Sequence, residues 1–145
     1  MFILNEDNEC GTIEVERIKA TRIIKSASSV ESWKGGIFER VRLCDILIEY
    51  EGHDDPSLHN IEVGQPHVDS RILPCWGWFI RNVKQLICEN VKLSYNGSEV
   101  RPAFFLDNVM ATTLTNVECK LVQNVKPLVV KDSGDVKGSD IKQFK

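Results

Sequence analysis

Apolar and polar residues alternate in short runs along this chain, and the runs break at an asparagine or aspartate set in a recurring frame. With h for an apolar or small residue and x for any residue, the frame reads h-x-h-x-[Asn/Asp]-h. It is met by Val41-Arg42-Leu43-Cys44-Asp45-Ile46 and Leu86-Ile87-Cys88-Glu89-Asn90-Val91, and more loosely by Thr112-Thr113-Leu114-Thr115-Asn116-Val117 and Val136-Lys137-Gly138-Ser139-Asp140-Ile141. Ile13-Glu14-Val15-Glu16-Arg17-Ile18 keeps the pattern with arginine in the polar place. The polar positions 17, 45, 90, 116 and 140 are separated by 28, 45, 26 and 24 residues, the length of a solenoid coil with one long insertion.

Period-two alternation rich in Val, Ile and Leu, without heptads, predicts stacked strands rather than stacked helices. Five coils at the usual strand spacing would stack to roughly 24 Å. Equivalent residues then lie above one another, and because an amide both donates and accepts, repeated asparagines can hydrogen-bond from coil to coil. The expected ladder is Asp45, Asn90, Asn116 and Asp140, with Arg17 breaking it at one end. Asn82 and Asn108 suggest a second column.

Residues 1 to 12 are polar and weakly patterned, and the first coil is expected from Thr12. A short strand is expected at Val30-Glu31-Ser32-Trp33, then a turn at Lys34-Gly35-Gly36, where glycine supplies positive φ. The second coil carries Phe38 to Tyr50, and Trp78-Phe79-Ile80 restarts the pattern after an insertion at about 51–75. Asn96-Gly97 signals a turn. Ala103-Phe104-Phe105-Leu106 and Leu128-Val129-Val130 occupy equivalent places.

At 145 residues the chain suits one domain, 1–145. Its net charge of −3, with dispersed Lys and Arg, argues against nucleic acid as a partner. No apolar run approaches a membrane span, so no membrane partner is expected. Met1-Phe2-Ile3-Leu4 runs straight into Asn5-Glu6-Asp7 without a signal-length apolar core, which leaves the localisation open between an intracellular protein and one that has lost an export signal. The cysteines at 10, 44, 75, 88 and 119 show no CxxC spacing, and Cys44 and Cys88 read as small buried hydrophobes.

The wording of several segments goes beyond the period. Leu73-Pro74-Cys75-Trp76-Gly77-Trp78-Phe79-Ile80-Arg81-Asn82-Val83-Lys84 and Arg101-Pro102-Ala103-Phe104-Phe105-Leu106-Asp107-Asn108-Val109 resemble the late coils of glycoside hydrolase family 28-like proteins. Ser32 to Val41, leading to Ile48-Glu49-Tyr50-Glu51-Gly52, is similar to the same family. The resemblance covers roughly residues 12 to 125. It implies an all-β, right-handed parallel β-helix of the polygalacturonase type, here its C-terminal coils, in a family that is typically secreted or periplasmic and acts on pectin-like or other polysaccharides.

The family's catalytic motifs are absent: the chain has no Asn-Thr-Asp and no Gly-His-Gly. Inverting hydrolysis needs one carboxylic acid for the leaving oxygen and a carboxylate to activate water. Asp54-Asp55 lies in the insertion, where a solvated acidic turn closed by Pro56 is the plain reading. Arg17-Ile18-Lys19 matches the family's substrate clamp in letters but falls on a different strand position. No catalytic residue and no cofactor is therefore expected, and the chain alone should be inactive.

The insertion remains the place for chemistry, since long loops on a rigid stack carry function. His53, Asp54, Asp55, His59, Glu62, His67 and Asp69 are potential ligands, yet their spacing is not that of a metal site, and none is expected. Arg71 and Trp76 are candidates for sugar binding together with His53, Asp54 and Asp55, because an indole face packs on a pyranose and arginine pairs with a uronate. Trp78, at a strand start, reads as core; Trp76 could be core or site. The function classes are then a hydrolase segment, a non-catalytic carbohydrate-binding or structural module, and a leucine-rich repeat, the last disfavoured by scarce Leu at the required positions. An uncapped first coil and a weak last coil, 136–145, suggest self-association through an end of the stack.

Overall fold

A computed structural model of the chain describes residues 2–4, 9–24, 26–32, 35–64, 66, 71–138 and 140–145. The described chain is all-β and built on parallel pairing, with one short 3₁₀ helix at Pro56–Asn60. The strands are β1 (Phe2–Leu4), β2 (Glu9–Ile23), β3 (Ser28–Ser32), β4 (Ile37–Glu51), β5 (Trp78–Asn96), β6 (Phe104–Lys120), β7 (Leu128–Lys131), β8 (Asp135–Gly138) and β9 (Lys142–Phe144). β5 is the hub: β3 and β4 flank it on one side and β6 on the other. β1 then extends β3 and β2 extends β4, while β7, β8 and β9 all lie along β6.

The pairing joins equivalent positions of the repeated frame. Ile13 lies opposite Val41, Val41 opposite Leu86, Leu86 opposite Thr112 and Thr112 opposite Val136. The asparagine and aspartate positions are bends inside strands that otherwise run on, except Asp132, which bends the chain directly after β7. Arg17, Asp45, Asn90 and Asn116 have φ of 52 to 54°, and Asn82, Asn108 and Asp132 have φ of 47 to 58°. Left-handed backbone is costly for most L-residues but is visited by Asn and Asp, whose short polar side chains can bond locally.

Each bend resets the inside–outside alternation. In β4, Val41 and Leu43 are buried before Asp45, and Ile46, Ile48 and Tyr50 after it. In β5, Leu86 and Cys88 are buried before Asn90, and Val91, Leu93 and Tyr95 after it. Without the extra step, residues on one side of the bend would turn their apolar face to water, since strand side chains alternate strictly. These inward positions form one large core from Val15 to Val122.

The side chains at the bends bond as expected over part of the column. Asn116 Nδ2 donates to Asn90 Oδ1 at 2.9 Å, and Asn90 Nδ2 donates to Asp45 Oδ1 at 2.9 Å. In the second column Asn108 donates to Asn82 at 2.8 Å, and Asn82 to the Ser32 carbonyl at 3.0 Å. Asp140 does not extend the ladder among the described residues. The reason is chemical: every rung donates toward the lower-numbered strand, and a carboxylate has no proton to give to Asn116. Arg17 likewise cannot accept. Replacing Asn90 by alanine should cost about 2 kcal/mol, from two lost rungs and alanine's poorer tolerance of left-handed backbone, whereas glycine should recover the backbone part. Urea unfolding of both variants checks this; equal losses would mean that the conformation contributes nothing.

Several sequence expectations meet the structure closely. β4 and β5 span the second coil and the restart, the chain leaves β5 at Asn96 with Gly97 at φ 73°, and Phe104 lies opposite Leu128. Gly35 has φ 80° in the expected turn, while Lys34 and Trp33 lie outside the described residues. Two boundaries differ. The short strand occupies Ser28–Ser32, and the N-terminal part holds β1, paired to β3, and an earlier start of β2 at Glu9 instead of Thr12. A three-residue strand is too short to show a period, so only its partner reveals it. All five cysteines are free; burial pushes the Cys88 thiol up to about 12 and raises Cys75 as well, which leaves both inert as nucleophiles.

Candidate functional site

Where β5, β6 and β7 begin, inward residues such as Ile80 and Leu106 enter the core, so the alternate residues face outward in rows. One row is Phe79, Phe105 and Val129; the next is Arg81, Asp107 and Lys131. The insertion folds down over this outer face. Leu73, Cys75 and Ala27 bury Phe79 in a second small core, and Val63 and Phe105 pack at its margin. The two phenyl rings lie 5.7 Å apart with their planes tilted by 34°.

Along that margin runs a cleft of about 470 Å³ lined by Ile61, Glu62, Val63, Pro74, Arg81, Phe105, Asp107 and Lys131. Its charged floor is held in place. Arg81 Nε donates to Asp107 at 3.0 Å, its other nitrogens donate to the carbonyls of Val63 and Gly64 at 3.2 Å, and its guanidinium lies 5.0 Å from the Phe79 ring centre. Arg81 thus ties the insertion to the sheet. Lys131 Nζ reaches Asp107 at 3.9 Å and is mostly in water, while Glu62, also exposed, lines the same cleft. The cleft offers a partly open aromatic ring, donors and acceptors of both signs, and a fixed floor. Such a mixture suits a polyhydroxylated ligand, whose C–H faces are apolar and whose rim is all hydroxyl.

The residues singled out in sequence take other places. Trp76 is core: it is 1% exposed and wedged edge-on between Tyr50 and Tyr95, with ring centres 5.7 and 5.2 Å away, so no indole face is open to a sugar. The adjacent turn brings the Gly77 carbonyl to the Tyr50 hydroxyl at 3.0 Å and draws the chain inward. Trp78 is core too, as expected. Arg71 forms an ion pair with the fully buried carboxylate of Glu31 and donates to the Gly64 carbonyl at 3.3 Å, so its charge is used inside the protein.

Asp54 and Asp55 are exposed. Asp55 caps the 3₁₀ helix, accepting the Ser57 amide at 2.9 Å, and this hydrogen bond lowers its carboxyl below the ordinary range, as a solvated capping turn requires. His53 is half-buried and donates its backbone N–H to Glu99 at 3.3 Å. These five residues do not form one site. Among the described residues no group of His, Cys, Asp and Glu could hold a metal; His67 and Asp69 lie outside them.

Beneath the insertion sits a buried ion pair that sequence reasoning missed. Glu99 and Arg101 side chains are 0% and 2% exposed and joined by bonds of 2.8 and 2.7 Å. Glu99 also accepts the amides of Val100 and Arg101 at 2.9 and 3.0 Å, and Arg101 donates to the Leu73 carbonyl at 3.1 Å. The pair therefore ties the loop after β5 to both ends of the insertion.

The cleft residues were also missed, although a signal exists. Phe79-Ile80-Arg81-Asn82, Phe105-Leu106-Asp107-Asn108 and Val129-Val130-Lys131-Asp132 repeat an apolar–apolar–charged–amide or acid pattern, which aligns the charges in one row. Among the described residues no helix is long and apolar enough to cross a membrane. Comparison with protein-family models, with curated proteins and with solved structures finds no match for this chain.

Proposed function

We propose that this chain is a right-handed parallel β-helix module, similar to the late coils of polygalacturonase-type glycoside hydrolases, that binds a polysaccharide without cleaving it. The parallel pairing at 24- to 45-residue offsets and the left-handed bends support the winding. The observation that carries the binding role is the cleft with Phe105 at its edge and the Arg81–Asp107–Lys131 row as its floor. Hydrolysis is not part of the reading. Asp107 is committed to two cations, and Asp54 and Asp55 belong to an exposed turn far better suited to capping than to acid–base work.

Calorimetric titration of the pure protein with oligogalacturonate and with neutral oligosaccharides tests it. Binding of at least one glycan is expected, weakened about tenfold by Phe105→Ala through loss of ring stacking, with no release of reducing ends. Absence of binding to every glycan, or affinity indifferent to Phe105, would remove the cleft from consideration. Cleavage abolished by Asp54→Asn or Asp55→Asn would instead make the chain a hydrolase.

A further inference from the structure

Independently of any glycan, the two outer edges of the sheet are complementary to each other. β2 forms one edge, and β8 with β9 forms the other over the equivalent stretch. Both leave inward-facing apolar side chains in view: Ile18, equivalent to the buried Ile46, is 39% exposed, and Val136, equivalent to the buried Thr112, is 40% exposed. An edge of this kind is a template for another parallel strand.

The register says what fits. Carrying the observed pairing one step further places β2 of a second copy over β8 and β9 of the first, with Ile13 above Val136 and Ile18 above Ile141. Ahead of β8 the same step puts Glu9 above Asp132, a like pair; over β8 and β9 it puts Glu14 above Lys137 and Arg17 above Asp140, two pairs of opposite charge, against one like pair, Lys19 above Lys142. The six charged side chains of these last three pairs are all exposed.

Arg17 and Asp140 make the fit specific. Arg17 holds a left-handed bend, φ 54°, where Asp45, Asn90 and Asn116 have the residue types that tolerate it, and it takes no part in the ladder within the chain. Asp140 likewise ends the ladder because it cannot donate. In each rung the donor sits on the higher strand, and Arg17 of an incoming copy would sit above Asp140 as a donor over an acceptor. The two residues that break the column in one chain continue it between two.

We propose that this protein associates head to tail with further copies of itself, β2 of one copy adding to the β8–β9 edge of the next, with Arg17 and Asp140 as the charge pair across the joint. The contact is heterologous, so it leaves both outer edges open and grows without closing unless the rotation per copy returns on itself.

Sedimentation equilibrium of the full chain over a range of concentrations tests this. The mean mass should rise continuously past that of a dimer and fall at high salt. Arg17→Glu and Asp140→Arg should each weaken association about tenfold, and the two together should restore it. Lys19→Glu, which turns the like-charged Lys19–Lys142 pair into an attractive one, should strengthen association severalfold, and serves as the readout if substitution at the Arg17 bend upsets folding. A monomer at every concentration, growth that stops at a dimer, a double variant no better than the singles, or a Lys19→Glu chain that associates no more tightly would each overturn the proposal.

Discussion

Glu99→Ala should be among the most damaging single substitutions in this protein, costing about 4–5 kcal/mol, with Arg101→Ala close behind at about 3 kcal/mol. Removing one partner of a buried pair leaves the other charge in the interior without compensation. The order follows from the bond pattern. When Arg101 goes, the Glu99 carboxylate still accepts amides from His53, Val100 and Arg101's own backbone position. When Glu99 goes, the guanidinium keeps the Leu73 carbonyl, and three amides lose their acceptor. For the same reason an apolar pair at 99 and 101 should not rescue the fold, although apolar replacements of buried ion pairs are often neutral elsewhere. Urea midpoints of the single and double variants decide it. Losses below about 0.5 kcal/mol, the range of an ordinary surface substitution, would show the pair to be solvated.

Trp76→Ala is expected to cost about 3–5 kcal/mol through the cavity left between Tyr50 and Tyr95. Trp76→Phe, which keeps a ring between the two tyrosines, should cost clearly less. The contrast with Phe105 separates packing from recognition: Trp76→Phe should leave glycan affinity unchanged while Phe105→Ala lowers it. Thermal unfolding together with titration gives both readouts. A Trp76→Ala protein as stable as the parent would put the indole back on the surface.

These two sites also mark where sequence reasoning reached its limit. Asp45, Asn90 and Asn116 were legible as equivalent positions because a bend that resets the alternation needs a residue tolerant of left-handed backbone, and the apolar frame around it fixes the register. The same logic failed at Asp140, where the frame persists but the donor is missing. Trp76 stayed open between core and site, and Arg71 was a sugar-binding candidate, because side-chain type does not distinguish a sugar platform from a core indole, or a substrate clamp from the counterion of a buried glutamate. Only the distant partners Tyr50, Tyr95 and Glu31 decide that. Glu99-Val100-Arg101 follows a turn signal, and nothing local reveals that the insertion will cover it. The folding of the insertion onto Phe79 was equally hidden, and the cleft exists only because of it.

The position of the insertion within the stack has a consequence for how the protein assembles. Joining β5 to β6 closes a loop of 26 residues, from Trp78 to Phe104, whereas joining β4 to β5 closes one of 45, from Val41 to Leu86. The longer closure costs only about 0.5 kcal/mol more in chain entropy. The segment inside that closure is itself held by Glu99 and Arg101, which lie beyond the turn at Gly97. Joining β2 to β4 closes only 28 residues, so two local platforms, β2–β4 and β5–β6, are expected to form first and to dock across the one joint where a folding chain has the most slack to recover.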